Sequence, residues 1–275
     1  MTQHIYWVNY RVYSGKYIKT MCNLVKDQMH GFLPIYGVER KSLDNIATKY
    51  NLSRRQIYSI RSQLKIQGEI YAGGNRKKQL GIILESFDDL TMKLKTIDSV
   101  TKKHKLIRAF LKDANQSISY VITQIKKSQK YGKMLKNDRL YFENIIRIMG
   151  INEIKSKNRG EQIENLLANF LDKLEIDYMT ENDIRKLDLY KVTPDFLFSE
   201  DIEIQVNNIV HTVRWMDAKS FMLINTPFMV KSLAKQAKKY NEIFGKGAFV
   251  FSEGIDTSVK INSTVILDGS ILVKK

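Results

Sequence analysis

From Val192 to Ser220 the chain reads as two apolar, strand-like runs, VTPDFLF and VRWMDAKS, joined by a hairpin-like segment. Upstream, GEQIENLLANFLDKL starts at Gly160 and places Ile163, Leu166, Leu167, Phe170, Leu171 and Leu174 on one face of a helix. Downstream, a second amphipathic helix is expected from about Phe228 to Phe244. Three further strands are expected at Gly247 to Ser252, Ser263 to Asp268 and Ser270 to Lys274.

The first half has a different rhythm. Leu43, Ile46, Ala47 and Tyr50 space as one short helix, Asn51-Leu52 as a turn, and Ser53 as the N-cap of a second helix burying Ile57, Ile60 and Leu64. Asn51 tolerates the left-handed conformation that such a turn needs. This pattern over residues 41–66 is that of a helix-turn-helix, whose second helix would present Arg54, Arg55, Gln56, Tyr58, Arg61 and Lys65 to a nucleic acid. Gly68-Glu-Ile-Tyr and the basic run from Ala72 to Lys78 read as a strand and a wing, making the unit winged-helix-like. Residues 82–150 show helical spacing without a second turn motif. Ile107, Phe110 and Leu111 suit a helix packed on the first domain, and Ile118, Val121, Ile122 and Ile125 suit another. Lys126 to Lys136 reads as a solvated segment, DNA-facing or linking, and Lys155 to Arg159 as a hinge into the second domain.

The expected fold is therefore α/β: a helical N-terminal region over residues 1–150, then a mixed-sheet domain over residues 151–275. At 275 residues with 43% hydrophobic content, the chain can bury two cores. No apolar run approaches the roughly twenty residues that span a bilayer, and the first residues lack a signal-peptide core. A single cysteine, Cys22, excludes an internal disulfide framework and fits a reducing compartment, so an intracellular site, nucleus or cytoplasm, is expected. Four histidines show no zinc-ligand spacing.

Charge sharpens this division. The net charge of +16 is carried by the first half, where 28 Lys and Arg face 11 Asp and Glu; residues 151–275 hold 17 against 18. A polycationic half is the footprint of a nucleic-acid grip, and no basic amphipathic helix with a bulky aromatic face points to a membrane instead. DNA is the expected partner; composition alone does not separate it from RNA.

The near-neutral half holds the candidate chemistry. Asp195 sits at the mouth of one strand and Asp217 near the end of the other. Side chains alternate along a strand, so Asp217 and Lys219 share a face. Two carboxylates suit a hard cation such as Mg²⁺, with Mn²⁺ a substitute, and the lysine can orient water or stabilise charge on a phosphate. Glu164, at the edge of the apolar stripe of the preceding helix, is the expected third acidic group, with Glu161 in reserve. Gln236 and Tyr240 share a helical face and can brace the lysine, a phosphate or a base. Lys231, Lys235, Lys238 and Lys239 on that helix add phosphate attraction.

Thr193-Pro194-Asp195-Phe196, Trp215-Met216-Asp217-Ala218-Lys219-Ser220 and the Gln236/Tyr240 pair resemble the PD-(D/E)XK nuclease superfamily, and within it the TPD-motif family. The resemblance covers residues 160–251, with Asp rather than Glu at position 217. It implies a Mg²⁺-dependent, restriction-endonuclease-like core with Asp195 as the motif aspartate, Asp217 and Lys219 as the acid and lysine of the second strand, and helical DNA-binding modules ahead of it. With Glu164 as the third metal-binding acid and Gln236 and Tyr240 beside them, these are the expected catalytic residues. The expected activity is metal-dependent DNA cleavage, as in repair or structure-specific processing. The alternative is a catalytically silent DNA-binding adaptor that uses the same fold to dock a protein partner.

Overall fold

The computed structural model of the chain describes residues 3–29, 35, 37–73, 76–114, 116 and 118–273. In order these form β1 (His4–Trp7), β2 (Val12–Tyr13), α1 (Gly15–Gln28), α2 (Gly37–Lys49), α3 (Arg54–Gly73), α4 (Arg76–Lys95), α5 (Val100–Asp113), α6 (Ile118–Lys127), α7 (Gln129–Gly132) and α8 (Lys136–Lys173). They continue as β3 (Tyr178–Thr180), α9 (Glu181–Leu187), β4 (Phe196–Val206), β5 (Ile209–Lys219), α10 (Pro227–Phe244), β6 (Gly247–Phe251), β7 (Ile255–Asp256) and β8 (Thr264–Asp268). Among the described residues no helix is long and apolar enough to cross a membrane.

The larger sheet is mixed, with strand order β1-β4-β5-β6-β8 and β3 also paired to β4. β4 and β5 form an antiparallel hairpin, whose two-residue turn Asn207-Asn208 has φ of 49° and 63°. Positive φ at both central positions is the mirror-image turn whose twist matches the strands, and asparagine adopts it at little cost. α10 then crosses over so that β5, β6 and β8 run parallel. β6 is buried along its whole length, as its unbroken apolar sequence and central position require. Gly247 is needed there, because the indole of Trp215 lies where a Cβ would go.

Each face of the sheet is covered. Ile163, Leu167 and Leu171 of α8 pack on Met216, Ala218 and Val250 on one side. Leu233, Ala237 and Tyr240 of α10, with Ile184 of α9, pack on Trp215, Phe249 and Phe251 on the other. A helical N-terminal region followed by a mixed-sheet domain is thus the observed architecture.

Several local expectations change. The helix read from Gly160 is the C-terminal part of α8, so neither residue 150 nor the hinge at 155–159 marks a break. Residues 68–73 continue α3 and residues 76–78 open α4, so no strand or wing forms there; Gly74 and Asn75 lie outside the described residues. A helix already propagated past Gly68 adds one bond per residue, which outweighs a single glycine. Gly269–Val273 is a 3-10 turn, not a strand, and Lys274 lies outside the described residues. Ile107, Phe110, Leu111, Val121 and Ile125 pack with α4, Met134 and Phe142 in a small bundle of their own. Within the 126–136 stretch Met134 is buried in that bundle and Tyr131 packs against it, while Lys126, Lys127, Lys133 and Lys136 stay exposed as expected.

The largest departure concerns the division into halves. β1 pairs in parallel with β4, His4 opposite Glu203 and Trp7 opposite Val206, so the second half takes an edge strand from residues 4–7. Met222 and Ile224, from the loop after β5, sit in the core formed by Ile18, Met21, Leu43, Ile57 and Ile60 of α1–α3. A fragment of residues 151–275 is therefore expected to show no cooperative thermal transition, since it lacks β1 and bares Met222 and Ile224. A calorimetric scan tests this; a sharp two-state melt near that of the whole chain would show that the sheet stands without residues 1–150.

Candidate active site

The hairpin and its crossover decide where the acidic groups meet. Asp195 immediately precedes β4, and its Oδ2 accepts a hydrogen bond from the backbone N–H of Ala218 on β5 at 2.7 Å. Asp217 and Lys219, two apart on β5, project to the same side, where the lysine Nζ forms an ion pair with Asp217 Oδ1. Asp217 Oδ2 accepts from Gln236 Nε2 at 2.9 Å. The same amide donates to the Tyr240 hydroxyl at 2.9 Å, and that hydroxyl donates to the carbonyl of Thr193 at 2.9 Å. The one-turn spacing of Gln236 and Tyr240 on α10 thus ties the second strand back to the residue two before Asp195. Lys219 Nζ also lies over the Phe249 ring, 5.4 Å from its centroid.

Electrostatics mark this as a strained cluster of like charges. Burial, and then the neighbouring charge of Asp217, push the Asp195 carboxyl up to about 8, although the Ala218 N–H and Lys219 pull it down. Glu164 on α8 is also held above the usual carboxylate range, by burial first and then by Glu181, Asp217 and Glu161; Lys219 opposes them. The Tyr240 hydroxyl is raised too, chiefly by burial and by Asp217. Asp217 Oδ1 is buried and has no hydrogen-bond donor beyond its ion contact with Lys219.

All six residues expected to act together, Asp195, Asp217, Lys219, Glu164, Gln236 and Tyr240, belong to this one neighbourhood. Glu181 was not foreseen. It opens α9, accepts from Thr193 Oγ1 at 3.0 Å and pairs with Arg185 at 2.6 Å. Its only sequence signal is a short capping box, Thr180 with Asp183, that starts a helix just after β3.

Among the described residues, no three His, Cys, Asp or Glu side chains stand close enough to hold a metal ion as they are. Asp195 and Asp217 still fit a hard cation. Mg²⁺ is commonly bound by one or two carboxylates and completes its shell with water and phosphate oxygens. An acid pushed up to about 8 beside a buried, donor-poor carboxylate oxygen is a site short of positive charge.

The helix-turn-helix forms where expected, with Asn51 at φ 51° and Ser53 capping α3 through its Oγ at 3.1 Å from Gln56 N. Its outward face is narrower than the sequence implies. Arg54 and Arg55 are exposed, their side chains 75% and 67% accessible. Tyr58 is half-buried and donates to Asp44, and Lys65 pairs with Glu69 at 3.5 Å. Gln56 and Arg61, expected to face nucleic acid, are turned inward. Gln56 donates to the Tyr13 hydroxyl at 2.7 Å and the Glu253 carbonyl at 2.8 Å. Arg61 is paired with Glu39 at 2.8 Å, both side chains only 2% exposed.

The reason lies in a second stripe on α3. Gln56, Ser59, Gln63 and Gln67 recur at helical spacing and hydrogen-bond the sheet domain. Ser59 Oγ accepts from Met222 N at 2.9 Å, Gln63 Nε2 donates to Met222 O at 2.6 Å, and Gln67 Oε1 accepts from Phe228 N at 3.1 Å. One flank of α3 is thereby used to hold the two halves together.

A family model described as "Protein of unknown function TPD sequence-motif" matches residues 129–270. An uncharacterized protein of Acanthamoeba polyphaga mimivirus is 36% identical over 265 residues, covering 96% of this chain and 94% of that protein. No solved structure matches it significantly.

Proposed function

The chain belongs to the TPD sequence-motif family, and within that family we propose that it is a metal-dependent nuclease of the PD-(D/E)XK kind, cutting DNA phosphodiesters. The observation that carries the reading is the meeting of Asp195, Asp217 and Lys219 at one point, on neighbouring strand ends, with Asp195 pushed up to about 8.

Each residue has work that its surroundings suit. The Ala218 N–H fixes the Asp195 carboxylate, and Gln236, held in turn by Tyr240, fixes that of Asp217. A Mg²⁺ or Mn²⁺ ion bound by these two carboxylates would supply Lewis-acid charge at the phosphoryl oxygens. The Lys219 ammonium orients a water or neutralises negative charge that grows on the phosphate. Glu164, held above the usual carboxylate range, is suited to accept a proton at its carboxylate as water attacks. The basic first half, with Arg54 and Arg55 still exposed, supplies attraction for the phosphate backbone.

The test is a cleavage assay with the whole chain on labelled linear and branched DNA, and RNA of the same sequences, with Mg²⁺, Mn²⁺ or EDTA. Products are expected on DNA only when metal is present, and Lys219→Ala is expected to slow turnover by about 10²–10³-fold. Binding without cleavage under either metal would leave a silent docking platform in place of an enzyme.

A further inference from the structure

Next to the carboxylate site the surface opens into a cleft of about 240 Å³ at the C-terminal ends of β5, β6 and β8. Ser220, directly after Lys219, and Ser252, directly after β6, lie on its wall; so does Ile163, the neighbour of Glu164. Three arginines and one acid, Glu253, supply the charge of the lining. Arg11 comes from the β1–β2 connection, Arg55 from the first turn of α3, and Arg159 from α8. Three distant parts of the chain each bring a guanidinium to one place.

These arginines surround Glu253. Arg11 Nη1 and Arg55 Nη1 each stand 3.8 Å from one of its two carboxylate oxygens, and Arg159 acts on the same carboxylate. Charge-assisted hydrogen bonds close to about 2.7–2.9 Å, so at 3.8 Å Arg11 and Arg55 hold Glu253 loosely. Arg11 Nε also stands 3.8 Å from Asp268, but that carboxylate is fully buried and already accepts from the backbone N–H groups of Tyr10 and Arg11. The N-terminus of α3 opens at the cleft through Ser53. A helix N-terminus and planar guanidinium forks both suit a phosphate group.

We propose that this cleft is a phosphate subsite, which grips the nucleic-acid backbone beside the phosphodiester presented to Asp195 and Asp217; it rests on the nuclease reading of that neighbouring site. Glu253 is its placeholder. Its carboxylate keeps Arg11 and Arg55 aimed at a common point, and an incoming phosphate competes for their donors. Arg55 thus serves the backbone at the cutting site and not the base edges of a groove. The cleft also explains why the helix-turn-helix is fastened to the sheet: the Gln56 bond to the Glu253 carbonyl sets Arg55 in place.

The experiment is fluorescence anisotropy of a labelled oligonucleotide with the whole chain, in EDTA, over a range of salt concentrations. Arg11→Gln and Arg55→Gln are each expected to weaken binding about three- to tenfold. Each should also flatten the slope of log affinity against log salt by about 0.7 for single strands or 0.9 for duplex, the loss of one phosphate contact. Glu253→Gln should tighten binding several-fold, and Lys186→Gln on exposed α9 should change nothing. Unchanged melting temperatures confirm that the variants are folded; Arg11→Lys, which keeps charge but loses the fork, replaces Arg11→Gln if that variant unfolds. Arginine variants with wild-type affinity and slope, a Glu253→Gln that binds no tighter, or a wild-type chain that binds no oligonucleotide would overturn the subsite. The expected binding pattern without cleavage in Mg²⁺ or Mn²⁺ would remove the nuclease reading and keep the subsite. Cleavage with neutral arginine variants would do the reverse.

Discussion

Asp195→Asn is expected to abolish metal-dependent cleavage and, at the same time, to stabilise the metal-free protein. The two effects share one cause. Replacing a carboxylate ligand by a neutral amide removes charge that the cation needs, and a loss of about a thousandfold or more in turnover corresponds to the several kcal/mol such an ion contributes. The amide oxygen can still accept from the Ala218 N–H, so the strand geometry is kept. In the metal-free protein the wild-type carboxyl is a burden. Its folded pKa of about 8 lies above its ordinary 3.8, so between those values the folded chain binds a proton that the unfolded chain releases. Stability should therefore fall as pH rises from 3.8 to about 8 and level off beyond. Asp195→Asn should flatten that decline. Saturating Mg²⁺ should offset it in the wild type, by about 2.7 kcal/mol at a hundred times its dissociation constant, and do little for the variant. Denaturant melts at stepped pH, with and without Mg²⁺, read both effects. An Asp195→Asn protein that still cleaves, or a wild type equally stable across that range, would remove Asp195 from the centre of the site.

The largest effect on stability is expected at Arg61. By its position on α3 it looks like a nucleic-acid contact, yet it is sealed against Glu39 with almost no access to water. Arg61→Ala leaves an unpaired buried carboxylate and should cost about 3–5 kcal/mol. Arg54→Ala, about two turns earlier and open to solvent, should change stability by less than about 0.5 kcal/mol. Replacing both partners, Arg61→Met with Glu39→Leu, should recover most of the loss, because two well-packed apolar side chains avoid the desolvation of both charges. Urea midpoints decide this. If Arg61→Ala unfolds at the wild-type midpoint but loses DNA affinity, Arg61 reaches the ligand after all.

The chemistry of the site was legible because it is local. Asp217 and Lys219 share a face through strand alternation alone, and Gln236 and Tyr240 through one helical turn; their contacts follow from those spacings. The helix-turn-helix was legible for the same reason, down to Asn51 and Ser53. What escaped in the first half was set by distant partners. Gln56 and Arg61 read as solvent-facing because their partners, Glu253 and Glu39, lie elsewhere in the chain. The stripe Gln56, Ser59, Gln63, Gln67 was visible as polar, but glutamine and serine bind backbone as readily as water, so a polar stripe does not announce what it touches. The wing failed because helix growth, once under way, carried through Gly68. β1 was invisible: four residues hold too little periodicity to mark a strand.

That short strand has a consequence for the order of assembly. His4 stands opposite Glu203, and the side chains of the two meet across 199 residues. On a ribosome, residues 4–7 emerge ahead of α1–α3, which can gather behind them through contacts close in sequence. Their partner β4 has not yet been made. Pairings between distant segments form slowly, because the intervening loop must be closed first. Through that interval the unpaired backbone of β1 is exposed to any other nascent edge. β1 is made long before the strand that completes it.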